Sequence, residues 1–210
     1  MRYPNIPCGL YAVTDPRTGA VEDLIARVEQ AIKGGARMIQ YRDKLATAAQ
    51  RRERAAALVD FCGRYRVPLI INDDVELTCA IGANGVHLGR HDMSIAAARA
   101  ALGKGAIIGA SCYNDLLRAE QACQAGADYV AFGSFFPSPS KPDAVTANLA
   151  LLGRARAALA IPVCAIGGVT AANAAPLIRA GADLVAVISG VFGRADPESA
   201  AREIAALFHQ

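Results

Sequence analysis

Short, uninterrupted apolar runs rich in β-branched residues recur along the chain at 9–14, 36–42, 67–71, 85–88, 106–111, 127–133, 161–166 and 182–189. They are continuous rather than alternating, as expected for parallel strands buried on both faces. Segments with helical spacing fall between them. In 21–33, Leu24, Ile25, Val28 and Ile32 share one face, with Glu22, Arg27 and Glu29 elsewhere. Further helices are predicted at 47–64, 94–102, 114–125, 147–159, 171–180 and 197–208, with the weakest signal at 74–81. The cluster Arg51-Arg52-Glu53-Arg54 within 47–64 reads as a solvated face.

Punctuation between these elements is regular. Gly34-Gly35-Ala36, Gly82-Ala83, Gly126-Ala127-Asp128 and Gly181-Ala182-Asp183 each separate a helix from the next strand. Glycine there allows the left-handed backbone that ends a helix, and alanine lets the chain turn sharply into the sheet. Eight strand–helix units in 210 residues come to about 26 residues each, which suits a compact (β/α)8 TIM barrel. A doubly wound sheet is the alternative, but Thr14-Asp15-Pro16-Arg17-Thr18-Gly19 after the first strand is not G-x-G-x-x-G. No linker divides residues 1–210, so a single barrel domain is expected.

Composition narrows the function classes. Lys and Arg (22) against Asp and Glu (19) leave +3, too small and dispersed for nucleic acid or a membrane surface. Only four of the cations are lysines: Lys33, Lys44, Lys104 and Lys141. The uncharged stretch 157–178 is long enough to span a bilayer, but Pro162, Gly167, Gly168, Asn173 and Pro176 make it a strand, a turn and a helix. Residues 1–8 lack an export pattern. Six cysteines without C-x-x-C spacing suit reduced, mostly buried thiols and hence the cytoplasm. The oligomeric state is left open, a homo-oligomer included.

In a barrel the chemistry collects where strands end at their C-terminal side. The second strand ends in Gln40-Tyr41-Arg42-Asp43-Lys44, where alternation puts Gln40 and Arg42 on one side and Lys44 just beyond. Three converging donors suit a polyanion; a rim ion pair is the competing reading. Asn72-Asp73-Asp74 follows the third strand and His87-Leu88-Gly89-Arg90-His91-Asp92 the fourth. Asp73 and Asp92 fit Mg²⁺, which takes one or two carboxylates together with phosphate oxygens and water. Each could instead be a helix cap. His87 and His91 lack a third imidazole for zinc.

Ser111 ends the fifth strand as a hydroxyl donor or a cap, and Cys112, without a base beside it, reads as packing. The sixth strand leads into 134–143, where Ser138, Ser140 and Lys141 stand among three prolines in a stiff cationic loop able to close over a phosphate ester. Gly167-Gly168 and Ser189-Gly190 end the last two strands, where barrels often bind phosphate. The sum is a mouth with a cationic cluster, a carboxylate pair for Mg²⁺ and a separate phosphate niche. It points to two small phosphorylated substrates, one carrying a diphosphate whose departure the cations and metal would stabilise. No general base stands out, which favours substitution driven by leaving-group departure.

The chain resembles the thiamine phosphate synthase family at Gly9-Leu10-Tyr11-Ala12-Val13-Thr14-Asp15, Gln40-Tyr41-Arg42-Asp43-Lys44, Asn72-Asp73, His87-Leu88-Gly89 with Asp92, Phe136-Pro137-Ser138-Pro139-Ser140-Lys141, Ala165-Ile166-Gly167-Gly168 and Ile188-Ser189. The motifs run in family order from the first strand to the eighth. The resemblance implies a reaction joining 4-amino-2-methyl-5-(diphosphooxymethyl)pyrimidine to thiazole phosphate, giving thiamine phosphate and pyrophosphate by a dissociative route. It further implies that Gln40, Arg42, Lys44, Asn72, Ser111 and Lys141 hold the pyrimidine diphosphate. Ser138, Ser140, Gly168, Ile188 and Ser189 would hold the thiazole phosphate, and Asp73 and Asp92 the Mg²⁺. The chain departs from the family pattern at Ser138 and Ser140, where threonine is frequent, at Arg90, where glutamine is frequent, and at Tyr113, where histidine is common. Two rivals are a thiazole tautomerase-like relative, which needs neither diphosphate nor Mg²⁺, and a non-catalytic barrel that binds thiazole phosphate or thiamine phosphate. The intact Asn72-Asp73 and Asp92 weigh against the first, and Lys44, Asp73, Asp92 and Lys141 together against the second.

Overall fold

A computed structural model of the chain describes residues 6–15, 19–137 and 147–209. The strands are β1 (Gly9–Val13), β2 (Ala36–Tyr41), β3 (Leu69–Asn72), β4 (Gly85–Leu88), β5 (Ile107–Tyr113), β6 (Tyr129–Phe132), β7 (Val163–Ile166) and β8 (Leu184–Val187). They close into one barrel in chain order, each parallel to its neighbours, with β8 pairing back onto β1. The helices are α1 (Val21–Lys33), α2 (Ala48–Tyr65), α3 (Val75–Ile81), α4 (Ile95–Leu102), α5 (Leu116–Gln124), α6 (Leu149–Ala158), α7 (Ala171–Arg179), α8 (Ser189–Phe192) and α9 (Pro197–Ala206). The (β/α)8 expectation therefore holds. The uncharged stretch 157–178 becomes β7 and most of α7. Among the described residues no helix is long and apolar enough to cross a membrane.

Although the runs look continuous, alternation divides them between two cores. Leu10, Ile39, Leu69, Ile71, Val130, Val163 and Val185 face the helices. Tyr11, Val13, Met38, Ile70, Ile107, Tyr129, Cys164, Leu184 and Ala186 fill the barrel interior. The period of two thus aims Gln40, two residues after Met38, and Asn72, two after Ile70, into the upper interior. The same phase brings in His87 on β4 and Ser111 on β5, four residues after Ile107.

The recurring Gly-Ala turns end in a polar residue that ties down the start of the preceding strand. Asn84 Oδ1 accepts the Leu69 N–H at 2.9 Å, Asp128 Oδ2 the Ile108 N–H at 2.7 Å and Asp183 Oδ2 the Val163 N–H at 3.0 Å. Arg99 and Arg156 then pair with Asp128 and Asp183. Strand register at the closed end of the barrel is pinned by these bonds as well as by the ladder. Gly126 and Gly181 enter those turns at φ +98° and +110°, which a Cβ would strain.

Three expectations need correction. Arg54 does not lie on a solvated face: its guanidinium reaches Asp43 Oδ2 at 2.6 Å and the Gly19 carbonyl at 2.8 Å. The last strand stops at Val187, and Ser189 begins the four-residue helix α8, too short for periodicity to reveal. Of the six thiols, Cys8 and Cys79 are exposed and Cys123 half-buried, so only Cys62, Cys112 and Cys164 are core.

Candidate active site

The two carboxylates are not helix caps. Asp74 Oδ1 takes the Leu77 N–H at 2.8 Å and caps α3, while Ser94 Oγ takes the Ala97 N–H at 3.2 Å and caps α4. Asp73 sits between strand and cap with φ +65°, its N–H bonded to the His87 carbonyl at 2.9 Å. Aspartate tolerates that left-handed conformation better than most residues. Asp92 Oδ2 accepts the Gly89 N–H at 2.7 Å.

Lys44 Nζ lies 3.2 Å from Asp73 Oδ2 in an open ion pair. Burial chiefly pushes the Asp92 carboxyl above the ordinary aspartate range, and the hydrogen bond and charge of Asp73 push the same way; the Gly89 N–H and Lys44 oppose them. The loops after β2, β3 and β4 thus bring one lysine and two mutually repelling carboxylates together. A cleft of about 550 Å³ opens beside them, lined by Lys44, Asn72, Asp73 and Met93 among others. The rim ion pair foreseen for Lys44 exists, and its partner is a candidate metal ligand.

The loop carrying Lys44 is held from below. Asp43, buried, accepts the Leu45 and Ala46 N–H groups at 3.0 Å each and pairs with Arg54. Thr14 Oγ1 accepts the Arg42 N–H at 2.9 Å and donates to the Arg42 carbonyl at 3.2 Å, so the loop after β1 holds the start of the same loop.

Deeper in the mouth a chain of hydrogen bonds joins Gln40 on β2 to Ser111 on β5, two residues that the resemblance assigns to the same substrate. Gln40 Nε2 donates to the Tyr11 hydroxyl at 2.6 Å, Tyr11 meets the Tyr129 hydroxyl at 2.8 Å, and Tyr129 meets His87 Nδ1 at 2.9 Å. His87 Nε2 lies 2.9 Å from Ser111 Oγ. Read one strand at a time, Tyr11 and Tyr129 are lone polar residues in apolar runs and His87 is half of a histidine pair too small for zinc, so the sequence assigns none of them a role. His87 is buried here and His91 is exposed, so the two imidazoles do not form a zinc pair. Cys112 is buried and its thiol is pushed up to about 12 by burial, which suits packing and not a nucleophile.

The niche at the last strands is built by close backbone approach. Gly168, at φ +60°, lies where a Cβ would strike the Pro137 carbonyl and Phe136, and Gly190 lies against the Val169 carbonyl. The loops after β6, β7 and β8 are therefore in contact, and Ile188 packs on the interior cluster as the residue before α8. Ser138, Ser140 and Lys141 lie outside the described residues.

The thiamine monophosphate synthase family matches residues 10–191. The chain belongs to this family. It is 56% identical over 200 residues to the thiamine-phosphate synthase of Thioalkalivibrio sulfidiphilus, covering 95% of each chain. Against the enzyme of that name from Thiobacillus denitrificans it is 54% identical over 204 residues, 97% of this chain and 96% of the other. The solved thiamine phosphate pyrophosphorylase from Pyrococcus furiosus superposes with a TM-score of 0.87 at 35% identity, covering 96% of both chains. Arg90, on the loop after β4, and Tyr113, at the end of β5, meet: the guanidinium lies 4.9 Å from the centre of the Tyr113 ring.

Proposed function

We propose that this chain is a thiamine-phosphate synthase that joins 4-amino-2-methyl-5-(diphosphooxymethyl)pyrimidine to thiazole phosphate, releasing pyrophosphate. The observation that carries the reading is the cluster of Lys44, Asp73 and Asp92, with both carboxylates relieved of capping by Asp74 and Ser94. Two carboxylates held together against their own repulsion, beside one lysine, are a donor set suited to a hard divalent cation shared with phosphate oxygens. Asp73 and Asp92 would hold Mg²⁺. When bound, it would neutralise charge on the departing diphosphate.

The chain's own residues do the rest. Arg42, Lys44 and Lys141 bind the diphosphate oxygens with Asn72, so charge that builds on the leaving group is met by cationic and amide donors. Gln40 and Ser111 orient the pyrimidine from below. Ser138, Ser140, Gly168, Ile188 and Ser189 hold the thiazole phosphate so that its ring nitrogen faces the methylene carbon. The carbon–oxygen bond to the diphosphate breaks first and the thiazole nitrogen then supplies the electron pair for the new carbon–nitrogen bond. No proton needs to be removed from that nitrogen, in keeping with the lack of an evident base.

The test is pyrophosphate release with both substrates and Mg²⁺ present. Thiamine phosphate and pyrophosphate should appear in equal amounts, and EDTA should abolish both. Turnover indifferent to EDTA would sink the metal assignment. Isomerisation of a thiazole without pyrophosphate release would move the chain to the tautomerase-like relatives, and binding without turnover to the silent barrels.

A further inference from the structure

The polar chain through the barrel core links two candidate substrate-binding residues that stand on different strands. Its middle member is placed with some care. Tyr129 is the register partner of Gly109 on β5, and its ring occupies the space a Gly109 side chain would take. That space lets the Tyr129 hydroxyl reach Tyr11 on one side and His87 on the other, with ring centres 5.9 and 5.5 Å apart respectively. Packing alone would be served by a valine in place of the glycine and apolar partners around it, without burying several polar groups in a barrel core.

Hydrogen counting gives the chain a direction. Each phenol has one hydrogen to give, and burial, the largest influence on both, keeps both hydroxyls protonated. Gln40 Nε2 donates to Tyr11, so Tyr11 gives its own hydrogen to Tyr129. Tyr129 must then donate to His87 Nδ1, which accepts only if the imidazole carries its hydrogen on Nε2. That hydrogen goes to Ser111 Oγ, and the serine hydrogen is left to point elsewhere.

We infer that Tyr11, Tyr129 and His87 are positioning residues that set the polarity of both ends of this chain together, leaving the Gln40 side-chain oxygen Oε1 as an acceptor and the Ser111 hydroxyl as a donor towards the mouth. This rests on the proposed function for its ligand. An aminopyrimidine offers an exocyclic NH₂ group as donor and ring nitrogens as acceptors, the complement of that pair. The relay never touches the substrate; it prevents Gln40 from flipping and offering the wrong group.

The experiment has two arms. In ligand-free protein, nitrogen NMR of ¹⁵N-labelled histidine should show His87 as the Nε2–H tautomer, and Tyr129→Phe should shift it towards a mixture of tautomers. This arm needs no turnover, so it stands even if the proposed reaction is wrong. In the assay, Tyr129→Phe should raise KM for the pyrimidine diphosphate about tenfold, the effect of about one lost buried hydrogen bond, and leave KM for thiazole phosphate unchanged. Should Tyr129→Phe fail to fold, Tyr11→Phe breaks the same chain one link earlier and carries the same expectations. An Nδ1–H tautomer in the wild type would overturn the direction. Equal changes in both KM values, or none in a folded variant, would overturn the positioning role.

Discussion

Arg54→Met isolates what anchors the loop that carries Lys44. The side chains of Asp43 and Arg54 are 3% and 17% exposed, and their 2.6 Å bond joins the start of that loop to α2. Methionine keeps most of the aliphatic stem and removes the guanidinium. Stripping one partner from a fully buried pair costs about 3–5 kcal/mol, whereas an exposed pair is worth about 0–1 kcal/mol. Asp43 would keep its bonds from the Leu45 and Ala46 N–H groups, and Arg54 is partly wetted, so the loss falls between these limits. We expect about 2 kcal/mol. For a chain of this size that is a fall of roughly 4–8 °C in Tm. Urea unfolding should show a lower midpoint with an unchanged slope, and KM for the pyrimidine diphosphate should rise as Lys44 loses its fixed approach. Arg52→Met, on an exposed neighbour, is the control and should lie within about 0.5 kcal/mol of wild type. A similarly small effect of Arg54→Met would refute the reasoning and return the pair to the status of a surface contact.

Two more tests separate chemistry from architecture. Asp73→Asn, chosen because asparagine also accepts the φ of +65°, should lower kcat at least about a hundredfold with little change in Tm. Asp74→Ala should instead cost about 1 kcal/mol of stability through the lost cap of α3 and leave kcat near wild type; the reverse pattern would exchange their roles. Asp92 has its folded pKa raised above the unfolded value, so its ionisation at neutral pH works against the fold. Asp92→Asn should therefore raise Tm at pH 8 in EDTA. The gain should shrink as pH falls through the raised folded pKa and vanish below the unfolded one, because the wild-type carboxyl is then neutral in both states. A variant less stable than wild type at pH 8 would contradict the repulsion, and Mg²⁺ should raise Tm for the wild type alone.

The barrel and most of the mouth were legible in the sequence for a simple reason. Parallel strands give continuous apolar runs, helices give their own period, and in a TIM barrel the loops after the strands share one end. Order along the chain was therefore enough to place Lys44, Asp73 and Asp92 near one another. Capping was not legible: Asp73 and Asp74 are adjacent, and only backbone geometry shows that Asp74 takes the cap and frees Asp73. The buried partner of Arg54 was hidden too, because a helical wheel shows which side a residue faces and not that a loop folds over it. The relay was missed for a related reason. Tyr11, Gln40, His87, Ser111 and Tyr129 lie on five strands, and only closure of the barrel makes them neighbours.

Closure also brings together Arg90 and Tyr113, which the sequence considers one at a time. Arg90 follows β4 and Tyr113 ends β5, adjacent strands whose loops meet at the mouth. The Arg90 guanidinium stacks at 4.9 Å over the Tyr113 ring, Arg118 approaches the same ring at 5.9 Å, and the Tyr113 hydroxyl accepts the Arg90 N–H at 3.4 Å. Cation–π contacts of this kind contribute about 0.5–1 kcal/mol each at exposed positions, enough to favour one loop conformation. A Cβ on Gly89 would stand 3.0 Å from Asp92 Oδ2 and 3.7 Å from the Tyr113 hydroxyl, so the stack borders the turn in which the Gly89 N–H holds Asp92. Arg90 and Tyr113 therefore belong together as a brace for the loop that presents the second carboxylate.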